Sequence, residues 1–348
     1  MRDWALKNAL LLAAGLGVLL STPLRGVLPH LSRDELETLY LLWILMAAIG
    51  ALKLEGTFTG LARKLEARGG LAPKLVLGTF ILAALVTNDV ALLATLPLVL
   101  ALKRRRSELA VLLVIAANAG SALTPFGNPQ NLYLYLHYRL DPPAFAAAIW
   151  PLPLAFLVAL YLLSLRLGPK TAEAPPAASP VRVPWTVALA LLLILGTVLR
   201  IFPPPSTLLA LPLIALAHPR AFLYVDYELL LTFLAFFLLV DNLEALLPLH
   251  LASQHGVFLI AVTLSQLLSN VPTAVFLAPV TDHWRALLWG VNAGGFGTPI
   301  ASLANLIAFR LFLAEAGPDE RRRFLLGYMV GEALALFLAI ALFYAFAP

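Results

Sequence analysis

The sequence lacks cysteine and has few charged residues for its length. Of its 348 residues, 12% are charged and 61% are hydrophobic, whereas soluble globular domains carry about 25% charged residues. The absence of cysteine excludes disulfides and cysteine-ligated metal sites. The scarcity of charged residues indicates that the chain is surrounded by lipid and not by water. We therefore expect an all-α polytopic membrane protein, because helices satisfy their own backbone hydrogen bonds in a bilayer.

The few charges that are present indicate a topology. The net charge of +5 comes from basic residues in short clusters between apolar runs, which is typical of cytoplasmic loops and not of a nucleic-acid-binding surface. Arg2 and Lys7 predict a cytoplasmic N-terminus. The cluster 321–323 precedes one last crossing, which predicts an extracytoplasmic C-terminus. The first apolar run ends without a small-residue cleavage site, so we predict a retained helix in the inner membrane.

Two apolar segments carry polar residues at their centres. Segment 75–102 has basic residues at both ends, so both ends face the cytoplasm, yet it is too short for two full crossings. We predict a re-entrant hairpin with Thr87-Asn88-Asp89 at its tip. Segment 256–281 has Ser269-Asn270-Val271-Pro272 at its centre, where proline breaks the helix. We predict a second hairpin there.

An internal repeat follows each hairpin. Residues 118–132 and 292–306 align without a gap and share seven of 15 positions. We predict two broken helices, 108–138 and 285–314, within inverted repeats that span 1–167 and 184–348. A cytoplasmic linker, 168–183, joins the halves. One extra helix after the linker gives the second half the opposite orientation in the membrane. About nine spanning helices are expected beside the two hairpins.

The tips and breaks are the candidate site. A broken apolar helix frees backbone groups that must be bound, and half-helix N-termini attract anions. Carbonyl and hydroxyl oxygens are ligands for Na⁺. One such motif is also compatible with close helix packing, but four that are paired by a repeat favour a site for a small anion beside a cation.

The predicted residues come from these four elements, with the breaks at 124–131 and 298–305. The candidate substrate-binding residues are Thr87, Asn88, Asp89, Ser269, Asn270, Thr273, Asn128, Asn131 and Asn305. The candidate Na⁺ ligands are Asn88, Asp89, Thr124, Gly127, Asn270 and Thr298.

Four acids lie in or near apolar segments. Asp89 is the only acid at a tip, and it is either a proton carrier or Na⁺ ligand, or the N-cap of the following half-helix. Glu332 lies well inside the last helix. It is either a partner within the bundle, with Arg310 as one option, or a proton relay. Asp241 and Glu244 end an apolar run and are interpreted as interfacial.

At these motifs the chain resembles the ion transporter superfamily, over essentially its whole length. This group includes divalent-anion/sodium symporters, citrate transporters, arsenite efflux permeases and a class of Na⁺/H⁺ antiporters. The resemblance implies that Asn88 and Asn270 bind substrate and that the breaks help form cation sites. It also implies an elevator-type homodimer, in which a transport domain moves against a scaffold. The carboxylate-transporting members carry Ser-Asn-Thr at each tip, whereas Asn88-Asp89 is closer to the arsenite-permease and antiporter branches.

These features predict a secondary active transporter. We expect it to move a carboxylate or inorganic oxyanion across the inner membrane, coupled to Na⁺ or H⁺, by alternating access. The alternatives are a Na⁺/H⁺ antiporter that uses Asp89 and an arsenite or antimonite efflux permease. The sequence has no His-Glu-x-x-His motif and no nucleophile with a partner base, so no enzymatic activity is expected. The expected partners are the anion, the lipid bilayer and a second copy of the chain, with no cofactor other than Na⁺.

Overall fold

A computed structural model describes residues 9–58, 60–61, 70–102, 105–167, 181–247 and 249–347. All regular secondary structure in these ranges is helical, with no strand, which confirms the all-helical prediction. Most of the predicted linker, 168–183, lies outside the described residues, as do residues 1–8. The predicted repeat boundaries therefore stay predictions.

The helices of the first half end before the linker, and those of the second half follow it. The first half contains α1 (Ala9–Arg25), α2 (Arg33–Leu54), α3 (Leu71–Leu85), α4 (Asn88–Leu100), α5 (Arg106–Ser121), α6 (Pro129–His137), α7 (Pro142–Ile149) and α8 (Pro151–Leu167). The second half contains α9 (Trp185–Val198), α10 (Ala210–Ala217), α11 (Tyr227–Leu246), α12 (Gln254–Leu268), α13 (Asn270–Leu277), α14 (Trp284–Ala293), α15 (Leu303–Glu315) and α16 (Pro318–Phe346). Short 3₁₀ helices flank α10 at Pro204–Leu209 and Pro219–Tyr224, and another follows α13 at Ala278–Val280.

Length divides these helices into two groups. Among the described residues, α2, α11 and α16 are each long and apolar enough to cross a bilayer alone, and α7 and α8 form one further candidate span bent by 52°. A crossing needs about 20 residues. The remaining α-helices have 8–17 residues, so a further crossing of full length must combine two of them. The predicted number of about nine spans stays a prediction.

The short helices pack across the two halves. In the first half, α3 and α4 contact each other and both pack on α5, while in the second half α12 contacts both α13 and α14. In addition, α4 packs against α15 and α13 packs against α6. Each predicted hairpin tip therefore lies beside the broken helix of the other half.

A polar clamp joins α1 to α11 away from the tips. The Asn242 side chain is fully buried, and its Nδ2 donates to Ser21 Oγ and Thr22 Oγ1, both at 2.9 Å. Beside it, Asp241 forms an ion pair with Arg25. A buried amide that is satisfied by a neighbouring helix holds the two helices in one register.

Candidate functional site

The first tip is a helix break between α3 and α4. The chain leaves helical geometry at Val86, Thr87 is extended (φ −159°, ψ 158°), and helix resumes at Asn88. Thr, Asn and Asp compete for backbone hydrogen bonds and so favour the start of a helix over its interior. The break therefore falls where the polar residues interrupt the apolar run. Thr87 and Asn88 are buried and Asp89 is half-buried.

The second tip is more strained than the first. Ser269 has φ +74° and ψ 154°, a conformation that is essentially confined to glycine and costs about 1–3 kcal/mol in other residues. The surroundings hold it there, because the next amide, Asn270 N, donates to Ala301 O at 2.9 Å. Pro272 lies in the first turn of α13, where its missing N–H removes no helical hydrogen bond. Strain of this kind is concentrated at functional sites.

Glycine permits both breaks in the repeat helices. A Cβ on Gly127 would lie 2.3 Å from the carbonyl oxygen of Ser121, so only glycine lets the chain fold back on α5 there. In the second copy, Gly297 has φ +113°, which is also a glycine conformation. The chain is non-helical from Ala122 to Asn128 and from Gly294 to Ser302.

A buried amide network joins the two repeat copies. Asn118 Nδ2 donates to Asn305 Oδ1 at 2.6 Å, and Asn292 Nδ2 donates to Asn131 Oδ1 at 2.7 Å. The gapless alignment pairs Asn118 with Asn292 and Asn131 with Asn305, so these two hydrogen bonds are equivalent. All four side chains are buried. Each bond joins the helix before one break to the helix after the other break.

The same amides also hold their own breaks. Asn131 Nδ2 donates to the carbonyl oxygens of Ser121 at 3.4 Å and Thr124 at 3.3 Å. Asn305 Nδ2 makes the equivalent pair, to Gly295 at 2.9 Å and Thr298 at 3.2 Å. Carbonyls that the broken helices leave without helical donors are thus partly satisfied by amides of the network.

Both tips meet the second break. Asn88 Nδ2 lies 3.1 Å from Asn118 Oδ1 and 3.4 Å from Ser302 Oγ, and Ser302 Oγ donates to Asn118 Oδ1 at 3.0 Å. The second tip reaches the neighbouring residue, Ala301, through Asn270 N. The equivalent position to Ser302 is Asn128, whose Nδ2 lies 3.3 Å from Asn292 Oδ1.

Each break is also fastened by a threonine hydroxyl. Thr124 Oγ1 donates to Ala84 O at 2.7 Å, and Thr298 Oγ1 donates to Gln266 O at 3.0 Å. The accepting carbonyls belong to α3 and α12, the helices that lead into the tips. Thr124 is half-buried and Thr298 is exposed. The two threonines thus connect each break to the hairpin of its own half.

Gln266 is a site residue that the sequence prediction missed. Its Nε2 donates to Gly294 O at 2.8 Å and Phe296 O at 2.9 Å, and its Oε1 accepts from Thr298 N at 2.9 Å. The side chain therefore satisfies three backbone groups of the second break. Polarity in the middle of an apolar helix was the only signal for it. Asn118 and Asn292 were also left off the predicted site, although their identity in the repeat marked them.

Four helix N-termini open onto this network. The helices α4, α6, α13 and α15 begin at Asn88, Pro129, Asn270 and Leu303. Asn128 caps α6 by accepting from Asn131 N at 2.9 Å, and Asn88 Oδ1 accepts from Asp89 N at 3.0 Å in the first turn of α4, whereas no side chain caps the starts of α13 and α15. Each N-terminus carries a partial positive charge and has N–H groups without a helical acceptor, although Asn270 N of α13 already donates to Ala301 O. No Lys or Arg side chain joins the network among the described residues, so the helix ends supply the positive potential.

The remaining predicted residues lie around this centre. Thr273 Oγ1 donates to Ser269 O at 2.8 Å within its own hairpin. In the described part of the chain, the network includes Asn88 but not the carboxylate of Asp89. No group of three or more His, Asp and Glu side chains suited to a metal ion is found among the described residues. Any Na⁺ ligands would therefore be mainly carbonyl, hydroxyl and amide oxygens.

Glu332 contacts the second break and not Arg310. Its side chain is fully buried, and its Oε2 accepts from Gly297 N at 3.0 Å. Among the described residues no ion pair joins it to Arg310, which is exposed. The suggested pairing with Arg310 is therefore wrong, because the Glu332 carboxylate is directed at the backbone of the broken helix.

Comparison with known proteins agrees with this architecture. A family model described as citrate transporter matches residues 7–289. The matched region includes both tips and the first break, and it ends before the second break. This chain belongs to the citrate transporter family. The resemblance to the ion transporter superfamily is thereby confirmed, and the chain is a membrane transporter by family.

Individual relatives carry transporter or membrane names. Inner membrane protein YbiR of Escherichia coli (strain K12) is 36% identical over 297 residues, which cover 77% of each chain. Uncharacterized transporter MJ0456 of Methanocaldococcus jannaschii is 31% identical over 298 residues, 80% of this chain and 81% of the relative. Silicon efflux transporter LSI3 of Oryza sativa subsp. japonica is 34% identical over 153 residues, 40% of this chain and 32% of the relative. Two of these relatives are named as transporters, and the third is named as an inner membrane protein.

Proposed function

We propose that this protein is a secondary active transporter that moves a small anion, either a carboxylate or an inorganic oxyanion, together with Na⁺ or H⁺. The observation that carries this proposal is the meeting of four half-helix N-termini at one buried amide network. Anions bind at helix N-termini because free N–H groups and the helix dipole both favour negative charge. Asn88 and Asn270, at the two tips, would contact the substrate directly.

The equivalent hydrogen bonds support inverted repeats and alternating access. Each copy uses the same asparagine and threonine positions to hold its break and to reach the other copy. Two halves related in this way can exchange roles between an inward-open and an outward-open state. The network lies wholly within the proposed moving part, 75–167 and 256–348. The clamp between α1 and α11 lies within the proposed scaffold, 1–54 and 184–248. The elevator motion and the homodimer rest on the family resemblance.

The first tip and first break are the preferred Na⁺ site. Asp89 would supply negative charge, and Asn88, Thr124 and Gly127 would supply neutral oxygens. Hard oxygen ligands at an interrupted helix are typical of sodium sites in coupled transporters. By the repeat, Asn270 and Thr298 are the corresponding candidates in the second half. A cation beside the substrate would offset the charge of the anion and so link their binding.

A neutral substrate is the second candidate. The described network contains amides and hydroxyls but no Lys or Arg, so it also suits an uncharged metalloid hydroxide such as arsenite or silicic acid. The relative LSI3 carries the name of a silicon efflux transporter. A Na⁺/H⁺ antiporter in which Asp89 exchanges the two cations is the third possibility.

Thermal stabilisation of the purified protein in detergent separates these functions. The melting temperature would be measured in NaCl and in KCl, with citrate, succinate, sulfate, phosphate, arsenite or silicic acid as probes. A ligand at about 100 times its Kd stabilises the native state by about 2.7 kcal/mol. Asp89→Asn is the test variant. Asp141→Asn is the matched control, because Asp141 only caps α7.

Each result selects one function. Stabilisation by an anion that requires Na⁺, or that changes with pH, supports the proposal and gives the substrate class. Stabilisation by arsenite or silicic acid without Na⁺ supports the efflux of an uncharged metalloid hydroxide. Stabilisation by Na⁺ alone, lost in Asp89→Asn, retained in Asp141→Asn and insensitive to every anion, would refute anion transport and favour the antiporter.

A further inference from the structure

In the described part of the chain, only one of the two oxygens of the buried Glu332 carboxyl has a hydrogen-bond partner. Its side chain has no exposed surface, and Gly297 N occupies only Oε2. The other oxygen, Oε1, is buried and has no hydrogen-bond partner among the described residues. Gly297 belongs to the second break, so this carboxyl touches the backbone that the proposed transport cycle must rearrange.

No basic group among the described residues compensates Glu332. Apart from those on α16 itself, the charged and titratable side chains on the elements packed against α16 are Arg106 and Glu108 of α5, Tyr161 and Arg166 of α8, His255 of α12, Arg285 of α14, and Arg310 and Glu315 of α15. In the described part of the chain none of them bonds to Glu332. On α16, Tyr328 is the nearest titratable residue, one turn away, while Asp319, Glu320 and the basic cluster 321–323 lie in the first turns and Tyr344 near the end. The break itself, 294–302, contains no titratable residue.

A carboxylate in this setting is unfavourable. Burying an ionised group without a partner costs several kcal/mol even after relaxation, and one backbone N–H offsets only part of that cost. Protonation at Oε1 removes the charge and leaves the bond from Gly297 N to Oε2 in place. The neutral acid is therefore the form that fits this conformation.

We propose that Glu332 is the proton-binding group of the second break. It binds a proton while Gly297 N donates to its carboxyl, and it releases the proton when the second break opens to water. This inference rests on the proposed function, because only a transport cycle would open the break. It places the coupling proton on Glu332, and it leaves Asp89 to the first tip.

The two halves differ at this point. The amide and threonine contacts have equivalents in both copies, but the repeat position of Gly297 is Leu123, which is exposed. The acid of the first half is half-buried Asp89, at a tip, whereas the acid of the second half is supplied to the break by α16. From that asymmetry we expect a proton-binding carboxyl at the break of the second half and only neutral oxygen groups at the break of the first half.

Infrared spectroscopy of the purified protein tests the protonation directly, without a substrate. Exposed carboxyls have a pKa near 4 and are ionised at neutral pH, so a protonated-acid carbonyl band at that pH reports a buried neutral carboxyl. We expect the band in the wild type, its loss in Glu332→Gln, and its retention in the exposed control Glu315→Gln. Glu332→Gln keeps an acceptor for Gly297 N, so it should fold. If it cannot be purified, Glu332→Asp should shift the band.

A band that no Glu332 substitution alters would overturn the proposal, as would the absence of any band at neutral pH. The coupling is tested by melting with citrate as the probe at about pH 6 and about pH 8, either side of neutrality. Citrate itself titrates in this range, so stabilisation should depend on pH more strongly in the wild type than in Glu332→Gln. An equal pH dependence in both would refute the coupling role. If no anion of the panel stabilises the wild type, the proposed function fails, and the infrared band alone still decides whether Glu332 holds a proton.

Discussion

Replacing Asn292 by alanine would remove one of the two bonds that cross between the repeat copies. Its Nδ2 donates to Asn131 Oδ1 at 2.7 Å, and its Oδ1 accepts from Asn128 Nδ2 at 3.3 Å. Asn128 retains a second acceptor, Ser121 Oγ at 3.1 Å. Asn131 Oδ1 has no other described donor. The variant therefore loses three hydrogen bonds, the third being from Asn292 Nδ2 to Leu288 O within its own helix at 2.8 Å, and leaves one buried acceptor without a partner.

The magnitude follows from that count. An orphaned buried acceptor costs about 1–3 kcal/mol, and a lost neutral hydrogen bond costs about 1 kcal/mol. Hydrogen bonds between lipid-embedded helices average about 0.6 kcal/mol, because the unfolded chain finds other partners there. The site is enclosed by protein, so we expect the larger range, about 2–4 kcal/mol. At about 2 °C per kcal/mol for a long chain, Asn292→Ala should lower Tm by roughly 4–8 °C.

The assay is thermal unfolding of the variants in detergent. Gln254→Ala is the control amide, since its Nε2 makes one long bond, 3.4 Å, to Ala347 O at the edge of the protein. It should change stability by less than about 0.5 kcal/mol. In the Asn131→Ala background, Asn292→Ala should cost about 1–3 kcal/mol less, because no acceptor is left orphaned. Additive losses, or a Tm for Asn292→Ala within about 1 °C of wild type, would mean that the amides do not bond across the copies.

Two further predictions concern packing and charge. Gly127→Ala should destabilise by about 1–3 kcal/mol, because the added Cβ meets the Ser121 carbonyl oxygen at 2.3 Å, whereas Gly15→Ala, with no atom within 4 Å, should be neutral or slightly stabilising. Equal melting temperatures for the two variants would contradict the close approach. The ion pair between Arg106 and Glu320 is partly exposed, so a double-mutant cycle should give a coupling of about 0.5–1 kcal/mol that weakens in high salt. A larger coupling that does not respond to salt would show that the pair is buried.

The helix breaks were predictable because their causes are local. Thr87-Asn88-Asp89 and Ser269-Asn270 interrupt apolar runs, and Ser, Thr, Asn and Asp offer the backbone local hydrogen bonds that compete with those of a helix. The helices end within two residues of these positions, at Leu85 and Leu268. Glycine and proline acted in the same way at the other two breaks, which lie at 122–128 and 294–302 and so begin and end earlier than the predicted 124–131 and 298–305.

The partners of the network were not predictable, because they depend on how distant helices pack. Nothing near Asn118 indicates that it bonds to Asn305, although the repeat marked both. Gln266 has no polar counterpart in the first half, where Ala84 occupies the position that accepts from the threonine. Glu332 was interpreted from its local pattern as either a partner within the bundle, with Arg310 as one option, or a proton relay, and only the tertiary structure showed that it contacts Gly297 and not Arg310.

The sequence by itself determined the solvent, the helical class, the positions of the breaks and the pairing of the repeat motifs, because composition and local backbone chemistry govern each of them. The tertiary structure alone decided which amides meet, which acid is buried and which helix N-termini face one centre. Those features arise from contacts between residues far apart in the chain, such as Asn131 with Asn292 and Glu332 with Gly297. Such contacts form only when distant segments of the chain pack together, and local patterns carry no information on that register.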